Sequence, residues 1–212
     1  NEYSLIKMLF TGLSQNIISC QYCGNKSNSF EIFQLLSLSI PIVNKYNDLT
    51  KTFTLEECLE HYVEEEQLDS HNKIECNFCY RKNRAKKRNK IWRTPKVLVI
   101  HLKRFLVNDY GIPTQKLNNM IKYPIKNLDI SKYISDNSPF KDKGKYNLFA
   151  VNCHHSIGLF NTINFGHYTS IIKNRYDNNW YSFDDSRPLD KISYESELIK
   201  NEAYMLFYYR TN

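Results

Sequence analysis

The stretch FGHYTSIIKNRYDNNWYSFDDS, residues 165–186, carries the reading of the whole chain. Its middle, Asn174–Asn179, is turn chemistry: short polar side chains that tolerate left-handed backbone and bond their own main chain. On either side stand runs rich in aromatic and β-branched residues, 168–173 and 180–184, the composition of strands. His167 and Asp184 are 17 positions apart, so their midpoint, 175.5, falls inside the turn. A hairpin closing there sets the two opposite each other, with Cα atoms about 4.5–5.5 Å apart. At that separation a carboxylate accepts a hydrogen bond from an imidazole and fixes its tautomer. Gly166, with no side chain, permits a close approach just before the histidine. Taken alone, such a pair also fits a buried histidine tied to a surface acid, so the surroundings must decide.

Outward from the hairpin, the chain after Pro95 reads as mainly antiparallel β. Residues 97–107 (VLVIHLKRFLV) form an apolar run of strand length, as for a strand covered on both faces. Further strands are expected at 146–152, 167–173, 179–184 and 203–210, with a short helix over 193–201. Before Pro95 the character differs. Residues 30–43 read as one extended run. Thr54 and Glu57 make a capping box, and Leu55, Cys58, Leu59, Tyr62 and Val63 follow as one apolar helix stripe. Glu64, Glu65 and Glu66 leave that stripe and are expected to face water. Two parts result: a lobe over 1–94 organised by cysteines, and a β-rich body over 95–212.

Cys20 and Cys23 form one C-x-x-C, followed by Gly24; Cys76 and Cys79 form a second, with 52 residues between the pairs. Two such knuckles place four thiolates around Zn²⁺, and the glycine allows the tight turn. Disulfides or unpaired buried thiols are the other readings; with no secretory signal, structural zinc is the expectation. With all four positions filled by protein, the metal has no open site for catalysis. Cys58 belongs to the helix stripe and to the core. Cys153 stands beside His154 and His155, which invites a nucleophile reading. Adjacent residues on a strand point to opposite faces, and that argues against it.

The bulk numbers set bounds. At 212 residues the chain can bury a real core. No apolar run approaches the ~18–20 residues of a membrane span. No signal-like N-terminus is present and the chain begins at Asn1, so a piece of a longer, soluble intracellular protein, cytoplasmic or nuclear, is expected. The net charge of +7 is local: residues 81–93 hold eight Lys/Arg and no acid, and the remainder sums to 7 − 8 = −1. That run could serve nucleic acid or an acidic partner; the plainer reading is a solvated linker or exposed strand.

Gly166-His167-Tyr168, with Trp180-Tyr181 and Phe183-Asp184-Asp185-Ser186, resembles the histidine box of ubiquitin-specific cysteine proteases. Leu102-Lys103-Arg104-Phe105, preceded by Pro95-Lys96-Val97-Leu98, is similar to that family's characteristic strand. The C-x-x-C pairs, Leu9-Phe10 with Gly12, Leu36-Ser37-Leu38 and Ala203-Tyr204-Met205-Leu206 follow in the family's order. The resemblance spans nearly the whole chain. It implies an α+β fold: a papain-like palm of mainly antiparallel β-sheet with zinc-bearing, β-rich fingers, the thumb largely absent. It implies His167 as general base, Asp184 as its orienting acid, and Asp185 as a group polarising the site or binding the developing oxyanion. Arg104, Phe105, Lys116, His155 and Tyr168 would line the groove for ubiquitin's C-terminal tail, under a loop formed by 156–166. The family's Gly-Asn-x-Cys box is missing, so the nucleophile is expected upstream of Asn1 or on another chain. The implied partners are ubiquitin, ubiquitinated proteins and that thumb segment, and the implied cofactor is Zn; neither a membrane nor nucleic acid is expected. An inactive, ubiquitin-binding relative is the alternative.

Overall fold

The computed structural model describes residues 4–42, 50–68, 72–108, 110–156 and 166–211. A short helix, α1 (Leu5–Phe10), leads into the hairpin β1 (Gly12–Cys20) and β2 (Lys26–Phe33). The chain then bends at Gln34 and Leu35 and enters β3 (Leu36–Ser39), which lies in a different sheet. The run expected to be continuous over 30–42 is therefore broken, because it changes sheets there. The last position of that expectation, Val43, lies outside the described residues.

A two-residue strand, β4 (Phe53–Thr54), precedes α2 (Leu55–Val63). The capping box forms: Thr54 Oγ1 accepts from the Glu57 amide at 3.2 Å, and Glu57 Oε2 accepts from the Thr54 amide at 2.6 Å. Leu55, Cys58 and Leu59 are buried, and Tyr62 and Val63 lie half-buried against the same core. Thr54→Ala removes one half of the reciprocal cap. Urea unfolding should read a loss of about 1 kcal/mol.

The three glutamates after α2 do more than face water. β5 (Glu65–Gln67) pairs with β8 (Ala85–Arg93) in the register Glu65↔Arg88, Glu66↔Lys87 and Gln67↔Lys86. Between them lies the small hairpin β6 (Ile74–Cys76) and β7 (Arg81–Asn83). The basic run is thus strand rather than linker: residues 81–83 form β7, largely exposed, and 85–93 form β8, an inner strand of the sheet β2-β1-β8-β5 with both buried and exposed positions. Lys86 meets Glu65 at 2.7 Å and Lys90 meets Asp136 at 3.2 Å. An acidic strand beside a basic one is the cross-strand pairing that favours this order.

The apolar run after Pro95 becomes β9 (Val97–Lys103), with Leu98, Val99, Ile100 and Leu102 buried, as expected of a strand covered on both faces. It stops at Arg104, and Phe105 opens a hairpin of β10 (Phe105–Val107) and β11 (Pro113–Lys116). β12 (Ile121–Lys122) runs parallel to β4, and β13 (Leu128–Asp129) pairs with β14 (Lys145–Ser156). Then come β15 (Gly166–Lys173), β16 (Trp180–Phe183), β17 (Asp190–Ile192) and β18 (Ala203–Arg210). The helix expected over 193–201 is reduced to a single 3₁₀ turn, Glu195–Leu198.

The larger sheet runs β17-β16-β15-β14-β18-β9-β3, antiparallel except for β3 on β9. Its core includes Leu36, Leu38, Leu98, Ile100, Leu102, Leu206 and Tyr208, together with the buried stripe of α2. A lobe of 1–94 as one block does not follow the sheets: β3 joins the larger sheet and α2 its core. The smaller sheet takes 12–33, 65–67 and 85–93. Among the described residues, no helix is long and apolar enough to cross a membrane.

Candidate functional site

β15 and β16 build the site. Their register pairs Ser170 with Phe183 and Lys173 with Trp180, so the hairpin is centred at 176.5, one position beyond the expected 175.5. Extending that register puts Asp184 across from Thr169, not from His167. His167 is two residues along the same strand as Thr169 and therefore on the same face. The pair meets diagonally: His167 Nε2 lies 2.5 Å from Asp184 Oδ1. The shift follows from the turn, in which the Asn174 amide bonds to the Asn179 carbonyl and Asn178 takes a positive φ.

Arg187, which sequence reading missed, holds the other carboxylate oxygen, with Nη1 2.9 Å from Asp184 Oδ2. The bond from His167 and the charge of Arg187 hold the Asp184 carboxyl below the usual carboxylate range. Asp185 adopts φ 47°, a conformation that Asp and Asn adopt more readily than most residues. Its Oδ2 stands 3.6 Å from His167 Nδ1, too far for a hydrogen bond. Among the described residues no group hydrogen-bonds Nδ1, while Nε2 is fixed.

The strand register sorts the other candidates by face. His155 is opposite His167, and Cys153 is opposite Thr169. These four residues line one cavity of about 450 Å³ with Asp184, Arg187 and Glu202. His155 Nε2 lies 2.8 Å from Thr169 Oγ1. Cys153 and His154 do point to opposite faces, but Cys153 and His155, two apart, share one, and it is the face of His167. Burial nevertheless pushes the Cys153 thiol up to about 11 and the Cys58 thiol up to about 12. Neither is an activated nucleophile.

On the opposite face His154 pairs with Tyr168, their rings 4.8 Å apart, and Phe105 and Tyr204 complete an aromatic cluster. His154 was not singled out from the sequence. The signal that could have found it is Gly166: a Cβ there would lie 2.1 Å from His154 Nε2. The glycine makes room for that ring, which the aromatic neighbours hold in place. Gly166→Ala should cost about 1–3 kcal/mol in denaturant unfolding, the usual penalty for overfilling a packed site.

Two expected groove residues are internal instead. Arg104 is fully buried, and its guanidinium donates to the carbonyls of Ala203 at 2.6 Å, Leu117 at 3.0 Å and Asn119 at 2.9 Å. Lys116 is also buried; its ammonium donates to the His154 carbonyl at 2.6 Å and to Ser156 Oγ at 3.1 Å. A cation in the interior is tolerated only when hydrogen bonds offset its lost hydration, and these two tie the chain around β11 to β14 and β18. Of the five expected groove residues, Phe105 and Tyr168 share one face, and His155 lies on the other. The loop 156–166 lies outside the described residues except at its two ends.

The four knuckle cysteines come together. Cys20 and Cys79 sulfurs are 4.0 Å apart, Cys23 and Cys76 sulfurs 3.7 Å, and all four lie within 4.8 Å of one another with no disulfide. A tetrahedron with Zn–S of 2.3 Å has edges of about 3.8 Å, so the donor set fits that ion. Asn25 and Asn83 side chains donate to the sulfurs of Cys23 and Cys79 at 3.5 and 3.4 Å. The Asn25 amides pull the Cys23 thiol down to about 6. Desolvation and the neighbouring sulfurs push Cys79 up to about 11. Four sulfurs this close could hold one metal ion.

The sequence model described as ubiquitin carboxyl-terminal hydrolase matches residues 1–208. A probable ubiquitin carboxyl-terminal hydrolase, R319, of Acanthamoeba polyphaga mimivirus is 36% identical over 99% of this chain and 42% of its own length. Ubiquitin carboxyl-terminal hydrolase 2 of Gallus gallus is 35% identical over 98% of this chain and 53% of its own. This chain therefore spans about half, or less, of those relatives. Among solved structures, the SAGA Ubp8/Sgf11/Sus1/Sgf73 DUB module bound to ubiquitin aldehyde superposes with a TM-score of 0.78 at 30% identity, over 100% of this chain and 43% of that one. The same module bound to monoubiquitin gives 0.79 at 30% identity. With the family matched along nearly its whole length and the same fold in solved relatives, the chain belongs to the ubiquitin carboxyl-terminal hydrolase family.

Proposed function

We propose that this chain is the base-bearing, substrate-gripping part of a thiol-dependent deubiquitinase that hydrolyses the bond after ubiquitin's C-terminal glycine. The observation that carries this reading is the fixed imidazole: Nε2 bound to Asp184 at 2.5 Å, Nδ1 open. Nδ1 takes the proton of a cysteine thiol. The thiolate adds to the glycine carbonyl carbon, and collapse of the tetrahedral species expels the amine, which leaves with the proton from Nδ1. Water then attacks the thioester, giving its proton to His167, and the thiol and ubiquitin's carboxylate are released. Asp184 orients the ring throughout and stabilises its cationic form; Asp185 polarises the outer side. Phe105 and Tyr168, joined by His154 and Tyr204, offer an apolar, aromatic surface for the extended tail.

The nucleophile belongs to polypeptide outside these 212 residues, in the manner of a thumb domain. The smaller sheet and the β6–β7 hairpin serve as the zinc-bearing fingers, with Cys20, Cys23, Cys76 and Cys79 as ligands; the ion would cross-link the two knuckles and take no part in the reaction. A second reading, a ubiquitin-binding part without activity of its own, is favoured by the buried state of Cys58 and Cys153.

A ubiquitin bearing an electrophile in place of its C-terminal carboxylate, incubated with the complete protein, distinguishes the readings. Mass spectrometry should place the adduct on a cysteine other than Cys58 and Cys153. An adduct on either of these two overturns the assignment, and no adduct at all supports the binding reading.

A further inference from the structure

A cavity of about 640 Å³ shares no residue with the candidate site. It lies where α1, the end of β2, the β8–β9 connection and the end of β18 meet. Lys7, Arg93, Lys96, Lys143 and Arg210 line it, and no Asp or Glu among the described residues does. The only carboxylate contact among these five is Lys143 with Asp142 at 3.2 Å, among the described residues. Arg210 donates to the Thr94 carbonyl at 3.3 Å. Some cations outside the cavity do have a carboxylate, as Lys86 with Glu65, Lys90 with Asp136 and Lys132 with Glu60.

The floor is apolar: Met8, Ile32, Pro95 and Phe140. Ile32 is 73% exposed and Met8 56%, large apolar groups left uncovered beside the cations. The walls are fixed by two hydrogen bonds: the Thr94 hydroxyl donates to the Lys143 carbonyl at 2.7 Å, and the Arg210 amide to the Lys96 carbonyl at 2.8 Å. An exposed apolar patch rimmed by one sign of charge is the form of a protein-docking site.

We propose that this cavity docks an acidic peptide segment of a partner protein. An apolar side chain of the segment sits on Met8, Ile32 and Phe140, and its flanking carboxylates meet Arg93, Lys96 and Arg210. A polyphosphate or nucleic acid would satisfy the cations and leave the floor wet; the floor selects a peptide. The proposal stands apart from the deubiquitinase reading and needs neither His167 nor zinc.

The probe is a short fluorescein-labelled peptide of Asp and Glu around a central Leu-Phe pair, titrated into the complete protein and followed by anisotropy. Saturable binding is expected, weakening as salt rises. Replacing Leu-Phe by Ser-Ser should weaken it about tenfold or more, the worth of burying one or two large apolar side chains. The double variant Arg93→Glu, Lys96→Glu should weaken it about tenfold or more, and Arg93→Gln, Lys96→Gln by less. Both side chains are exposed, so thermal unfolding and hydrolysis of a ubiquitin ester should stay unchanged in both. Binding unaffected by charge reversal, equal binding of the Ser-Ser peptide, or tighter binding of a short DNA duplex overturns the proposal.

Discussion

His167→Ala in the complete enzyme should lower kcat on a ubiquitin C-terminal amide by at least the hundred- to ten-thousandfold typical of a removed general base, with KM little changed. The asymmetry is expected because, on the proposed reading, the imidazole touches the reacting atoms, whereas the tail would rest on the aromatic cluster around Tyr168 and Phe105. Asp184→Asn tests the same geometry from behind. It keeps the shape, but an amide presenting its NH₂ to Nε2 favours the wrong tautomer, so kcat should fall on the order of a hundredfold or more at every pH. Asp184 is held below the usual carboxylate range by its bond from His167. It therefore stays ionised as pH falls past the point where an ordinary carboxylate protonates. Whatever stability the pair lends is present above that ordinary value and is lost only below it. The acid limb of kcat/KM should accordingly report groups other than Asp184. Undiminished turnover by His167→Ala would remove the base from the scheme, and a fall confined to KM would make His167 a binding residue.

The hairpin was legible because its turn is written in Asn and Asp and its strands in aromatic and β-branched residues. Its register was not, because composition marks a turn only to within a residue or two. Here the amide of Asn174 reaches Asn179, and the centre moves by one position. His167 and Asp184 survive that shift because both partners keep their face, although they meet diagonally. The capping box and the helix stripe were legible for the same local reason. Long-range outcomes were not. Nothing near Arg104 states that its guanidinium will face inward to carbonyls 13 to 99 residues away. Nothing in residues 81–93 states that an acidic strand will lie beside them. The change of sheet at Gln34 and Leu35 is likewise decided by which strands compete for β1 and β9. His154 was hidden by its neighbour: of two adjacent histidines the sequence does not say which faces His167, and strand parity does.

Removal of metal should have the largest effect on the fold. The smaller sheet has little apolar burial of its own near the knuckles. Every residue of β2 except Phe33 is exposed, β5 is exposed throughout, and Cys20, Cys76 and Ala85 are the buried residues at that end. Strands with so little to bury gain much from a cross-link between knuckles separated by 52 residues. The sulfur separations of 3.7 and 4.0 Å match a tetrahedral ion. In isolated zinc-finger peptides such a site is worth about 10–16 kcal/mol, comparable with a whole domain's usual stability. Elemental analysis should find about one Zn per chain, and Cys76→Ser should abolish it. A strong chelator should split unfolding into two transitions, one early and confined to the smaller sheet. The larger sheet, with its own core through Ile100, Leu206 and Tyr208, should melt close to its original temperature. Ubiquitin affinity should fall with the first transition, while Nε2 of His167 stays bound to Asp184, because that pair is held by β15 and β16. A metal-free chain with a single unchanged transition would make the four cysteines a cluster of thiols and nothing more.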